Sequence, residues 1–405
     1  MPQAHKERGL VRELARQVSQ IASEPRMEAI RKRWRDVNAL RKPDRAPVWC
    51  RPVGCWDEIL SPSTLVCQDP WLRQLEYSLR QITAKYDIDD DTPVEGYWAI
   101  QAVFTVTPAN TWGVEVSHRQ PETEGGAWAF DPALKTEADF GRLRSPVFTY
   151  DAAKTREHVG RTEDLIGDIL PVRLVMEAPL GATLGTAADL RGLQQVMIDM
   201  IAEPHLVHRL MTWIRDATLQ AMDQAQATGL VTPNNTGPMV CSDPIGEAAP
   251  DGTYTYRNCW CMANSQEFDQ VSPAMWEEFC LNYQKPIFER FGLVGYGCCE
   301  NLTKKIDGVL SIPNLRILVC SAWTNLGTVI ERVGRSCCIM WRQKASDVVF
   351  PDDVSRVRHD LLEGARRLQG CFYQVVLREL QTLAGHPDRL HVWTALAKEA
   401  ATRYA

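Results

Sequence analysis

No stretch of this chain reaches the about 18 consecutive apolar residues that a membrane-spanning helix needs. Its first residues, MPQAHKERGLVRELARQ, are charged where a signal peptide carries its apolar region, so a cytoplasmic protein without a membrane segment is expected. A cationic surface for nucleic acid is lacking too. The net charge is -6, and the one basic run, RKRWR at 31–35, lies between Glu28 and Asp36 as the solvated face of a helix would. No G-x-G-x-x-G fingerprint for a dinucleotide is present. Thirteen cysteines are many, yet none falls in the C-x-x-C pairs of a structural zinc site, and their odd number suits reduced thiols better than a disulfide framework. Of eight histidines, none sits at the end of an apparent strand. His205, His208 and His359 fall on helices, His118 in an insertion, and His386 and His391 near the C-terminus. A nucleophile triad built on histidine is therefore not expected, because the base must reach the nucleophile.

What is present reads as one large folded unit. Apolar residues at 45% and charged residues at 24% are the balance of a protein with a substantial core, and 405 residues lie within the range of a single barrel. Residues 8–40 carry apolar positions such as Leu10, Leu14, Val18 and Ile21 at helical spacing, which marks 1–45 as a helical extension. After the breaker-rich RKPDRAP, apolar strand patterns at 47–53, 171–181, 292–302, 315–323, 337–343 and 371–380 alternate with helical ones. Such recurrence predicts an α/β protein with a parallel sheet, closed as a (β/α)8 TIM-type barrel over 46–405. Two long segments interrupt it: 87–150 reads as the second strand plus a long insertion on the loop face, with no second domain, and the polar 232–260 as a lid or binding loop. The aromatic residues Tyr97, Trp98, Trp112, Trp128, Tyr254, Tyr256 and Trp260 in these segments suit either a cover over a flat ligand or plain packing.

Barrel active sites lie at the C-terminal ends of strands, which selects the candidate residues. YGCCENL at 296–302 ends a strand with two thiols and a carboxylate. Cys298 is the candidate metal ligand, with zinc as the metal; the plainer alternative is a small core thiol. Strand alternation would turn Cys299 away from the cavity that Cys298 enters. Glu177, Glu300 and Glu379 are candidate acids or bases at strand ends. Arg51, Arg342 and Arg378 suit recognition of a carboxylate, and Asp91, Asn235 and Trp323 complete the candidate substrate-binding set.

Several of these pieces resemble one superfamily. Ala46-Pro47-Val48-Trp49-Cys50 is similar to the first-strand motif of uroporphyrinogen decarboxylase-like proteins, in which arginines just past the strand meet substrate carboxylates. Tyr296 to Leu302 with Lys304, Lys305 and Ile306, then Ile312-Pro313-Asn314-Leu315-Arg316 and Ser321-Ala322-Trp323, resemble a bacterial branch related to corrinoid-dependent methyltransferases. The resemblance implies a (β/α)8 barrel. It also implies a methyltransferase that moves a methyl group from a small methoxylated or methylated substrate to a corrinoid protein or folate. Zinc on Cys298 would assist, and the corrinoid (cobalamin) would sit on a partner carrier protein. The alternative is a decarboxylase or lyase for a small aromatic or polycarboxylic acid, with Arg51 holding the acid and Asp91 or Glu177 stabilising the protonated intermediate. A homodimer stays open. The sequence departs from both patterns. Arg51-Pro52-Val53-Gly54-Cys55 keeps one arginine of an arginine-rich turn, Arg378-Glu379 stands where the decarboxylases carry histidine, and Tyr296-Gly297-Cys298 lacks the histidine of His-x-Cys. A metal would then need Glu300 or Glu379 as a substitute ligand.

Overall fold

The computed structural model describes residues 2–119, 129–182 and 185–405. Its strands are β1 (Val48–Cys50), β2 (Trp98–Gln101), β3 (Phe104–Thr107), β4 (Ser117–Arg119), β5 (Ala129–Asp131) and β6 (Val147–Tyr150). They continue with β7 (Val172–Val175), β8 (Trp260–Ala263), β9 (Leu293–Tyr296), β10 (Leu315–Cys320), β11 (Cys338–Gln343) and β12 (Tyr373–Leu377). Six of them form one curled parallel sheet in the order β1-β12-β11-β10-β9-β8, and β2 pairs in parallel with β7 in a second. The strands from β10 to β12 are buried almost along their length, as expected where apolar layers cover both faces of a parallel sheet. Alternation sorts their side chains. Ile339, Trp341 and Val375 join Leu361 and Ala365 of the helix Ser355–Arg367 and Trp393 and Ala397 of Arg389–Arg403 in one core. Cys338, Met340 and Val376 face the other side.

That other side is where the N-terminal helices go. In the helix Pro25–Asn38, the apolar stripe Met27, Ile30, Trp34 and Val37 shares a core with Cys338, Met340 and Val376. Asn38 at its end binds the strand starts: its side-chain oxygen accepts from Gln374 at 2.9 Å and its carbonyl from Arg316 at 2.6 Å. Read as an outer extension in the sequence, this helix instead closes the N-terminal end of the sheet. A stripe holding a fully buried Trp34 needs an apolar surface to cover it, and the strand ends supply one.

Among the described residues no ladder joins β1 to β2 or β7 to β8. Short polar residues fasten these seams. Asp91 donates its N–H to Val48 O (2.8 Å) and accepts the Val48 N–H on its carboxylate (2.7 Å), while Asp90 accepts the Cys50 N–H (2.9 Å). Across the second seam, Thr232 bonds Met176 through both its backbone N–H and its hydroxyl. Asn234 exchanges two bonds with the Trp260 backbone (2.8 and 3.0 Å).

The long segments follow from the same chemistry. Within 87–150, β3 pairs with β6 and β4 with β5 in antiparallel hairpins. Val114, Leu134, Phe140 and Leu143 there belong to the main core, so among the described residues the insertion builds no separate one. Segment 232–260 lies only partly at the strand C-termini, where Thr236 and Gly237 line a cleft with Gln101 and Glu177 and Pro238 lies by Arg51; beyond that it turns away. Met239 and Cys241 offer their carbonyls to Asn38 (2.8 Å each), and Met239 O also accepts from Gln374 at the start of β12. Its polar residues are consumed in internal bonds of this kind, which carry the loop toward the N-terminal end of the sheet.

Candidate functional site

Register places three arginines side by side. Cys50 lies opposite Leu377, so the next residues, Arg51 and Arg378, leave β1 and β12 at the same level. Arg342 sits opposite Val376 on the neighbouring β11. All three continue the face that carries Trp49, Val376 and Met340, which aims them together beyond the C-terminal ends of the strands. Like charges this close require compensation. Glu379 supplies part of it, as one carboxylate oxygen accepts from Arg51 and lies 3.5 Å from Arg342 Nη1. Burial, and then the charge of Arg342, still lower the Arg51 pKa to about 10.

The remaining compensation is sulfur. β9 ends at Tyr296, and Gly297 takes φ +113°, where a Cβ would come within 2.9 Å of both Leu302 and Val319. The chain turns there, alternation stops, and both thiols reach the arginines. Cys298 Sγ lies 3.6 Å from Arg342 Nη1, Cys299 Sγ 3.3 Å from Arg378 Nη2, and the two sulfurs 3.6 Å from each other. The expectation that Cys299 faces away is therefore corrected, because it extended strand geometry past the strand. A hydrogen bond from Cys299, and then the Arg342 charge, lower the Cys298 pKa to about 6 against the opposing effect of burial. Cys299 is correspondingly pushed up. Arg378 stacks on the half-exposed Trp323, 4.5 Å from its ring centroid. Among the described residues, buried Arg342 Nε has no hydrogen-bond partner and Glu379 Oε2 has only the Arg378 guanidinium at 3.9 Å, two polar atoms a ligand could satisfy.

The other candidates lie apart from this cluster. Glu300 is buried and accepts the N–H groups of Cys298 (2.8 Å) and Ser265 (2.9 Å), so it staples the thiol loop and does not face the arginines. Asp91 spends its carboxylate on Arg33, Arg45 and Val48. Asn235 is tied to the carbonyls of Ser242 and Asp243 inside its own loop. Glu177 lines a separate cleft of about 540 Å³ at the β7–β8 seam, with Gln101, Asn234 and Trp260. Of the aromatic residues, Trp112 packs edge-on against Trp213, whereas Tyr97 and the buried Tyr256 and Trp260 line the Glu177 cleft. Trp128 lies outside the described residues.

No family model matches this sequence, and no curated protein does. Among solved structures the chain is similar to a methyltransferase from Methanosarcina mazei, with TM-score 0.49 and 12% identity over 91% of this chain and 98% of that one. That likeness is too distant to speak to residues or reaction.

Zinc does not fit the donors present. Among the described residues no three His, Cys, Asp or Glu side chains converge as metal ligands. Both thiols face guanidinium groups, which repel a dication. Sequence reasoning had every charged member of the cluster but missed Cys299 and the Arg378–Trp323 stack. The glycine at 297 was the available signal, since glycine is the residue that ends a strand by turning left-handed.

Proposed function

We propose that the chain is a methyltransferase for a small anionic methylated or methoxylated compound, and that its eight parallel strands form a (β/α)8 barrel with polar seams. The convergence of Arg51, Arg342 and Arg378 around one carboxylate and one thiolate carries this reading. Guanidinium groups there would bind the substrate carboxylate in bidentate fashion. When the methyl–heteroatom bond breaks, the electron pair stays on the heteroatom, and the same buried cations stabilise the anion that forms. The Cys298 thiolate and Glu379 hold those cations in place. The methyl group passes to an acceptor outside the chain, a corrinoid carrier protein or a folate. Decarboxylation is less well served, because Asp91 is fully bonded elsewhere and Glu177 lines a different cleft.

The test is transfer of isotope-labelled methyl from a panel of methoxylated and methylated acids to reduced cobalamin or tetrahydrofolate. Labelled acceptor formed by the native chain, and lost in Arg342→Met with an unchanged fold, supports the reading. Release of carbon dioxide from the acids, without labelled acceptor, overturns it.

A further inference from the structure

Vicinal cysteines in a strand point to opposite faces and cannot meet. Here the turn at Gly297 sets Cys298 and Cys299 on the same side with their sulfurs 3.6 Å apart, both half-buried. Ten of the other eleven thiols are buried, and Cys371 lies at the opposite end of the sheet, just before β12. Two cations face the pair, Arg342 toward Cys298 and Arg378 toward Cys299. We propose that Cys298 and Cys299 are a redox-modified pair, closed by peroxide into a vicinal disulfide at the mouth of the arginine cluster.

The chemistry balances within the pair. The Cys298 thiolate attacks one oxygen of hydrogen peroxide, the O–O bond breaks, and hydroxide leaves, giving a sulfenic acid. The Cys299 sulfur then attacks the Cys298 sulfur, so that the S–S bond forms and the S–O bond breaks. The departing oxygen takes up the Cys299 proton and leaves as water. One thiolate and one thiol are together oxidised by two electrons, and one peroxide is reduced to one hydroxide and one water. Selectivity comes from the surroundings. Burial raises the pKa of all eleven other cysteines and keeps them as thiols, whereas Cys298 is lowered. Closure also removes a negative charge from among three arginines, so the oxidised mouth is more cationic than the reduced one.

The experiment treats the reduced full chain near neutral pH with hydrogen peroxide and follows intact mass and peptide maps. The peptide containing both residues should lose two hydrogen atoms, reversibly with dithiothreitol, at least about tenfold faster than any other cysteine reacts. Cys299→Ser should instead accumulate a sulfenic acid on Cys298 that dimedone traps, and Cys298→Ser should leave Cys299 unreactive. Oxygen added to Cys298 while Cys299 stays a free thiol, or faster oxidation of any other cysteine, overturns the proposal. The readout is mass, so it stands or falls apart from the methyl-transfer reading.

Discussion

Cys298 Sγ lies 3.6 Å from Arg342 Nη1, and the same guanidinium nitrogen donates to the Cys298 carbonyl at 3.2 Å. One arginine thus grips both ends of the residue that the turn after β9 delivers to it. Replacing Arg342 with Met removes a buried cation while keeping most of its volume. In a methyl-transfer assay we expect kcat to fall about a hundredfold, the usual cost of losing one preorganised donor. Far-UV circular dichroism should be unchanged. Wild-type turnover in this variant would remove Arg342 from the site.

Alkylation by iodoacetamide should reveal the Cys298 titration. Its rate should be half-maximal near pH 6, where an ordinary thiol would titrate near 9.0. Stability follows the same group. Between these two values the folded chain binds fewer protons at Cys298 than the unfolded chain does, so its contribution grows with pH. It is complete above about 9 and is lost as pH falls through about 6. Cys299, shifted upward, acts in the opposite sense and only at higher pH. Denaturant midpoints of the native chain and Cys298→Ser across this window check it. Parallel pH profiles for the two would be the contrary result.

Gly297→Ala should destabilise the chain by about 1–3 kcal/mol, because the added methyl overpacks Leu302 and Val319 on a backbone that L-residues avoid. It should also separate the thiols and return Cys298 reactivity toward that of an ordinary cysteine. Chemical denaturation and alkylation rates measure the two effects; an unchanged alkylation rate would mean the turn does not hold the thiols.

Asp91→Asn should cost about 3 kcal/mol, since it leaves the buried Arg33 with Asp44 alone, takes the paired carboxylate from the part-buried Arg45 and weakens the β1 seam. Substrate KM should stay as it was. A variant of native stability that binds substrate poorly would restore Asp91 to the site.

These residues show which features could be read from the sequence. Arg51, Arg342 and Arg378 were visible because a strand end in a parallel sheet fixes the level of the next residue. Buried apolar runs such as CIMWRQ marked five of the six strands of the large sheet for the same reason, whereas β8 was passed over because it directly follows the polar loop 232–260. Glu300, Asp91 and Asn235 looked alike in sequence, as polar residues after a strand or in a long loop. Only partners distant in the chain reveal that they fasten backbone: Ser265 for Glu300, Arg33 for Asp91, and Ser242 for Asn235. The path of 232–260 was hidden likewise, since the groups that draw Met239 and Cys241 inward are on Asn38 and Gln374.

The clasp at Thr232 and Asn234 has a mechanical consequence. A backbone ladder yields only as a unit, whereas a few separate bonds, each worth about 1 kcal/mol, release one at a time. The β2–β7 panel is therefore joined to β8 by bonds that can release without unzipping either sheet. Glu177 sits beside this clasp, on its β7 side.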